Sequence, residues 1–301
     1  MRSSTREGGV VAEKTWAHRW LPGIATAALL SAVAAAAGAS PAAAARHPSA
    51  AISASHPPGY QIVSSGPVSA PPGAFDSGSS AACPAGTVVW GGGVAFSGGG
   101  SASLNVNTSD PTGSGLWSAR VNNTGTTTAQ FVVDAICANR PKGYKIVSQA
   151  VDNPPNTQSH ATATCPSPNV LLGGGTLSTS DQVAAVLTSA WPRSSAKFTG
   201  YLDNGTASDA QLVVYAICGH KPAGYTIASN STALGPGSTL IDGIACPAGT
   251  STLDGGAQVP DHAPALQVSG SIDQGALGWL INVSNTGQSA DQVDGHAICA
   301  A

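Results

Sequence analysis

Three segments of the chain alternate apolar and polar residues in the same phase and close on the same tripeptide: Gln130-Phe-Val-Val-Asp-Ala-Ile-Cys137, Gln211-Leu-Val-Val-Tyr-Ala-Ile-Cys218 and Gln292-Val-Asp-Gly-His-Ala-Ile-Cys299. Successive side chains of a strand point to opposite faces. Phe131, Val133 and Ala135, with Leu212, Val214 and Ala216 and with Val293, Gly295 and Ala297, therefore share a face with the cysteines and are predicted to be core. The other face carries Asp134, Tyr215 and His296 at one equivalent position, a chemical scatter expected of a solvated site. An earlier strand in each copy behaves alike, with Trp117, Ala119 and Val121 matched by Phe198, Gly200 and Leu202 and by Trp279, Ile281 and Val283. Its intervening residues, among them Ser118, Arg120, Thr199, Tyr201 and Asn282, are mixed. Each such strand runs into Asn123-Thr-Gly125, Asn204-Gly205 or Asn285-Thr-Gly287. Asn and Gly tolerate positive φ, so these predict turns between antiparallel strands. Trp117, Phe198 and Trp279 read most simply as core aromatics rather than as platforms for a sugar.

The strands belong to a longer period. Cys83, Cys165 and Cys246 recur at intervals of 82 and 81 residues, and Cys137, Cys218 and Cys299 at intervals of 81. Each copy opens on Pro-x-Gly-Tyr, reaches Cys-Pro, passes a glycine cluster and ends on Ala-Ile-Cys. One unit of about 80 residues is thus written three times, which sets the architecture before any other reading. The clusters are Gly91-Gly92-Gly93, Gly173-Gly174-Gly175 and Asp254-Gly255-Gly256. Neither a helix start nor a Lys-Ser/Thr pair follows them, so a phosphate cradle is not indicated. A β-bulge or a close strand crossing, where no side chain fits, is the expectation.

Composition changes the picture at the N-terminus. Arg2, Arg6, Lys14 and Arg19 precede an alanine-rich apolar run, Leu21 to Ala37, and small residues through Ala45. This order predicts a secretion signal over residues 1–45, the competing membrane helix being disfavoured because the run, ending in an alanine tract, sits at the short limit for spanning, and a flexible leader follows over 46–56. The rest has eight Lys and Arg against thirteen Asp and no Glu. No basic stripe exists to neutralise phosphates, so nucleic acid is not an expected partner, and no membrane association is expected after signal removal. Six cysteines in an exported chain read as disulfides. Repeat symmetry selects Cys83–Cys137, Cys165–Cys218 and Cys246–Cys299 over the shifted set Cys137–Cys165, Cys218–Cys246 and Cys83–Cys299. Each copy then carries its own crosslink, worth roughly 4 kcal/mol for loops of this length.

Cys-Pro-x-Gly, the glycine cluster, the Trp, the Asn and Ala-Ile-Cys together resemble an extracellular repeat of actinobacterial secreted proteins, which implies secretion and no established activity. The resemblance covers nearly all of residues 57–301, with Pro168, Phe198 and Asp254 as departures. A second likeness, resting only on threefold disulfide-bearing glycine-rich β units, is to the β-prism of vitelline membrane outer layer protein I; fold likeness does not transmit function.

Catalytic chemistry is hard to find. The histidines at 160, 220, 262 and 296 are not equivalent between copies, and no nucleophile elbow, zincin motif or dinucleotide fingerprint occurs. The cluster Asp291, Asp294 and His296 lacks full metal-ligand spacing. One polar set repeats: Gln130, Gln211 and Gln292 on the face opposite the core, and Asn123, Asn204 and Asn285 at the adjacent turns. Amides both donate and accept hydrogen bonds and suit sugar hydroxyls, while the competing reading has them serving turns and neighbouring backbone.

The expectation is an all-β chain of three homologous antiparallel units, 57–138, 139–219 and 220–301, packed with pseudo-threefold, β-prism-like symmetry or else strung as tandem β-sandwiches. The expected function is a secreted, non-catalytic binding module for a glycan or cell-surface polysaccharide, with no cofactor or metal. The alternatives are a structural or adhesive envelope protein and, third, an exported hydrolase.

Overall fold

A computed structural model of the chain describes residues 55–259, 263–275 and 278–301. The expected signal segment and residues 46–54 of the expected leader lie outside the described residues. The first copy holds β1 (Gln61–Ser64), β2 (Val68–Ala70), β3 (Ala74–Ser79), β4 (Thr87–Phe96), β5 (Leu104–Thr112), β6 (Leu116–Asn123) and β7 (Ala129–Asn139). The second holds β8 (Lys145–Asn153), β9 (Thr157–Thr164), β10 (Val170–Ser178), β11 (Ala185–Ser194), β12 (Lys197–Asn204) and β13 (Ala210–Gly219). The third holds β14 (Thr226–Leu234), β15 (Thr239–Ile244), β16 (Ser251–Gln258), β17 (Leu266–Asp273), β18 (Trp279–Asn285) and β19 (Asp291–Ala300). Among the described residues no helix is long and apolar enough to cross a membrane.

The sheets do not follow the copies. The first sheet runs β1-β7-β4-β17-β18-β15 with β2 also paired to β7, the second β3-β6-β5-β10-β13-β8, and the third β14-β19-β16-β11-β12-β9. Each sheet is therefore built by two copies, and each copy divides its strands between two sheets. The seams are equivalent: Val94 pairs with Ser271, Thr176 with Ser109, and Ala257 with Ala190. Copy one leans on three, two on one, and three on two, which closes a ring. This is the pseudo-threefold arrangement; a row of self-contained sandwiches is excluded because no copy completes a sheet alone.

All three within-copy disulfides form, with Cα–Cα distances of 5.7, 5.5 and 5.7 Å. The predicted core faces are buried throughout, from Phe131, Val133 and Ala135 at 0% exposure to Trp117 and Trp279 at 1%. The glycine clusters do more than make a bulge. A bulge precedes each cluster, between Val89 and Gly91, Leu171 and Gly173, and Thr252 and Asp254. A Cβ on the middle glycine would enter the ring of Trp117, Phe198 or Trp279, and one on the third would strike a backbone carbonyl of the neighbouring copy, at Ser271, Ser109 or Ala190. At the first position the copies meet one another: a Cβ on Gly91 would strike the Leu253 carbonyl, and one on Gly173 the Trp90 carbonyl.

Two expectations are corrected. The Asn-Gly segments are not hairpins, because β6 and β7 lie in different sheets, as do β12 and β13, and β18 and β19. Nor do they use positive φ at the asparagine. They are corners between sheets, held by the Asn side chain. The position of Asp134, Tyr215 and His296 is half-buried rather than solvated, since each of these strands has a neighbour on both sides that adds further side chains.

Candidate functional site

The asparagines of the candidate set are structural. Asn123 is 1% exposed and Asn204 and Asn285 are 0% exposed. Their Oδ1 atoms accept from the backbone N–H two residues on, at Gly125 (3.0 Å), Thr206 (3.2 Å) and Gly287 (2.8 Å). Their Nδ2 groups donate to Thr127, Ser208 and Ser289 carbonyls within the corner. They also donate to the last residue of a strand in the adjoining sheet: Ala70 (2.8 Å), Asn153 (2.7 Å) and Leu234 (3.3 Å). Each amide is spent on its corner. The glutamines, by contrast, are exposed, one on the outer face of each sheet: Gln130 on β7, Gln211 on β13 and Gln292 on β19. Gln211 donates to the Asp152 carboxylate at 3.3 Å, and Gln292 accepts from the Ser231 hydroxyl at 3.1 Å. Sitting on three different sheets, they do not converge on one ligand.

A convergent set does exist on the outer face of the third sheet. His160 on β9 stands directly opposite Tyr201 on β12, and their rings stack at 4.8 Å and 15°. Tyr201 in turn stacks on Trp191 of β11, with centroids 5.9 Å apart and planes at 19°. Both lean on the strand period: residues 189, 191 and 199, 201 alternate with the inward Ala190, Phe198 and Gly200. Trp191 stays outside the apolar core cluster yet is only 5% exposed, so its ring is fixed in place. Trp191 and Tyr201 border a cavity of about 260 Å³ together with Arg193, Gln258 of β16 and His296 of β19. Four adjacent strands from two copies thus supply one pocket. Burial pushes the His296 imidazole below its ordinary value, against the pull of Asp294, which favours the neutral ring. Its Nε2 is buried without a partner among the described residues.

The equivalent places on the other sheets have different chemistry. On the second sheet they hold Ser77, Arg120 and Asp110 beside Tyr215; on the first, Ile241, Asn282 and Ile272 beside Asp134. Arg120 is engaged there, donating to the Ser178 carbonyl at 3.2 Å and lying 5.8 Å from the Phe75 ring. Burial raises Asp110 to about 7, with Arg120 opposing. Of these three equivalent places, the one on the third sheet has stacked rings beside a cavity. The signal was present in the sequence as two aromatics, Trp191 and Tyr201, at outward positions where the other copies carry Asp110 or Ile272 and Arg120 or Asn282. A search restricted to features shared by all copies passes over it.

A second cavity, of about 410 Å³, lies where the start of the first copy meets the third. His56, the last residue of the expected leader, stacks on Tyr60 at 4.8 Å, and its Nδ1 is 2.6 Å from Ser251 Oγ. Asp273 stands close enough to feel the His56 charge and accepts from Thr252 Oγ1 and from the Gly275 N–H. Among the described residues no group of three or more His, Cys, Asp or Glu is placed to hold a metal ion.

The rings are stacked on one another, so what borders the cavity beside them is an amide, an imidazole and a guanidinium, groups that can hydrogen-bond hydroxyls. Comparison with protein-family models gives no match to this chain, and comparison with curated proteins gives none either.

Proposed function

We propose that this chain is an exported, non-catalytic binding module that takes a saccharide on the outer face of its third sheet. The carrying observation is the ladder His160–Tyr201–Trp191 beside a cavity lined by Gln258, His296 and Arg193. Three disulfides suit an oxidising, extracellular compartment. The ligand is held by hydrogen bonds and by contact with the aromatic ladder, and a single such ladder-lined cavity among the described residues makes the binding monovalent. The test is binding of the full chain to a panel of soluble polysaccharides by titration calorimetry. Trp191→Ala and Tyr201→Ala should each weaken binding at least about tenfold, as loss of a stacking ring does. The triple variant Gln130→Ala, Gln211→Ala, Gln292→Ala should bind as the parent does. Binding that follows the glutamines instead would move the site to the three sheet faces.

One observation favours a hydrolase as a second reading. Ser251 Oγ and His56 Nδ1 are at nucleophile–base distance on a cavity wall, with the Asp273 carboxylate near the imidazole. Covalent labelling of the parent by a fluorophosphonate, absent in Ser251→Ala, supports it; no labelling removes it.

A further inference from the structure

We propose that this chain associates head to tail with further copies of itself, the basic disulfide end of one molecule seating on the acidic corner of the next. Nothing in this contact depends on a saccharide; it follows from the separation of charge along the strands of the second copy.

Six of the seven Lys and Arg among the described residues are exposed: Arg140, Lys142, Lys145, Arg193, Lys197 and Lys221. All six lie at the disulfide end. Lys145 pairs with Cys218, and Lys197 pairs with Thr164, next to Cys165. Arg193 and Lys197 flank a connection whose Ser195 and Ala196 carbonyls accept from the Leu171 and Cys165 N–H groups. Leu171 in turn accepts from the Tyr225 hydroxyl, and Lys221 lies 5.8 Å from the Tyr225 ring. The Lys142 carbonyl accepts from the His220 N–H at 2.9 Å, and Arg140 lies 4.6 Å from the Tyr144 ring of the same turn.

The exposed aspartates among the described residues, Asp152, Asp181 and Asp209, lie at the opposite end. Asp152 pairs with Gln211 at the start of β13, and Asp209 directly precedes that strand. Asp181 follows β10, whose last residue, Ser178, pairs with Leu212. Half-buried Asp203 stands at the same end, beside the Asn204 corner. Asp152 and Asp209 border a cavity of about 650 Å³ together with Thr179 and Gln211, open to a Lys or Arg side chain. Single strands carry the polarity: Lys145 and Asp152 stand toward opposite ends of β8, roughly 23 Å apart at the rise of an extended chain, and Lys197 and Asp203 do the same on β12.

Within one molecule this separation stabilises nothing. No ion pair joins any of the six cations to an aspartate among the described residues, and like charges gathered at one end repel. Between molecules the same groups attract. Beyond residue 45 the chain is acidic overall, with thirteen Asp against eight Lys and Arg, but screening confines general repulsion to about 8 Å at physiological salt, so the facing ends decide. A foreign polyanion would occupy the basic end and leave the acidic corner without a role; a second copy uses both. Because the two patches differ, the contact is heterologous, and repetition along the strand direction does not close. Exposed ion pairs are individually weak, so the contact needs several at once and is sensitive to salt.

The test is the average mass of residues 50–301, the compact unit that holds all three sheets, by sedimentation equilibrium against concentration and salt. At low ionic strength the mass should climb with concentration beyond that of a dimer, and about 0.5 M salt should return it to a single chain, since screening then acts within a few ångströms. Two triple variants separate the ends: Lys142→Glu, Lys145→Glu, Lys197→Glu, and Asp152→Lys, Asp181→Lys, Asp209→Lys. All six positions are exposed, so both variants should melt close to the parent. Each alone should stay a single chain where the parent associates, and an equimolar mixture should associate again, because each then meets a partner of opposite charge. Should a triple variant melt well below the parent, the single changes Lys145→Glu and Asp209→Lys replace it, each lowering the association constant at least about threefold. A parent that stays a single chain in low salt, association that survives high salt, or a mixture that stays unassociated while the parent assembles overturns the proposal. Polyphosphate binding by a single-chain parent, lost in the lysine variant, overturns it in favour of a foreign polyanion.

Discussion

Asp254 interrupts the glycine pattern where Gly91 and Gly173 stand in the other copies, and it does so at the place where all three copies meet. Its buried carboxylate accepts from the N–H groups of Gly92, Gly174 and Gly255, one from each copy and all at the same position of the cluster. Burial drives its pKa well above the ordinary carboxylate value, and the three donors work against that. A second side chain cannot share the space, since a Cβ on Gly91 would lie 2.8 Å from the Asp254 Cβ. Asp254→Ala removes the common acceptor and leaves three buried donors, so it should lower unfolding free energy by roughly 3 kcal/mol or more in urea titrations. A variant as stable as the parent would mean that the desolvation cost of the carboxylate cancels its three bonds. A second residue-level rule links the core aromatics to a partner on the adjacent strand. Trp117 Nε1 donates to Ser109 at 2.9 Å and Trp279 Nε1 to Ser271 at 2.8 Å. Phe198 has no N–H, and the equivalent residue is Ala190. Trp117→Phe alone should strand the Ser109 hydroxyl. Adding Ser109→Ala should recover about 1 kcal/mol of the loss, a coupling that a double-mutant cycle reads directly.

At the scale of elements, the opening turn of each copy is a clasp on the copy before it in the ring. In Pro-x-Gly-Tyr the glycines Gly59, Gly143 and Gly224 have φ of 75°, 73° and 63°, a backbone region that the type II turn demands and glycine supplies. The turn delivers Tyr60 to the Thr252 carbonyl (2.9 Å), Tyr144 to Val89 (2.8 Å) and Tyr225 to Leu171 (2.7 Å). These are equivalent acceptors in the strands β16, β4 and β10, each in a different copy from its donor. Burial raises all three phenols, Tyr144 to about 12, so they remain donors. Each Tyr→Phe change should cost about 1 kcal/mol, and the triple variant close to the sum, because the clasps share no partner. A strongly cooperative loss would show that they act as one ring. The strands, their faces and the pairing of cysteines were legible in the alternation and the period. The corners were not, because Asn-Gly has the same local chemistry whether the chain returns beside itself or leaves for another sheet.

The molecule as a whole is less divisible than its sequence. Residues 139–219 supply β8, β10 and β13 to one sheet and β9, β11 and β12 to another, and both need strands from other copies to be complete. Expressed alone, this segment should show no dispersed amide spectrum even with Cys165–Cys218 oxidised; a folded monomer would contradict the shared-sheet architecture. Stability should also depend on pH in an unusual direction. Asp110, Asp134, Asp203, Asp254 and Asp273 all have pKa values raised by burial. A raised carboxylate contributes stability that is complete below its unfolded value near 4 and is lost as pH rises through its folded value. His296 is lowered and acts the other way, losing its contribution as pH falls below about 6.5. Five groups against one predict greater stability near pH 5 than near pH 7.5. Asp110, at about 7 in the fold, accounts for roughly 2–3 kcal/mol of that difference. Asp110→Asn should flatten the profile between pH 4 and 7, and an unchanged slope would exclude that carboxylate as its source.

By itself the sequence determined what repeats: an all-β chain of three units, the inward faces Phe131, Leu212 and Val293 and their neighbours, the bulged glycine clusters and the crosslink within each copy. Those follow from local periodicity and from identity between copies, and both are written along the chain. What it left open was which strands share a sheet, because hydrogen bonds from Val94 to a strand of its own copy or of another satisfy the same backbone groups. The tertiary structure decided that, and with it the roles that depend on who the neighbour is. Asn123, Asn204 and Asn285 became corner posts, Gln130, Gln211 and Gln292 were sent to three separate faces, and Asp254 met three copies at once. The candidate site belongs to the same class. Trp191 and Tyr201 come from the second copy and Gln258 and His296 from the third, and only the seam at Ala190 and Ala257 brings them to one pocket.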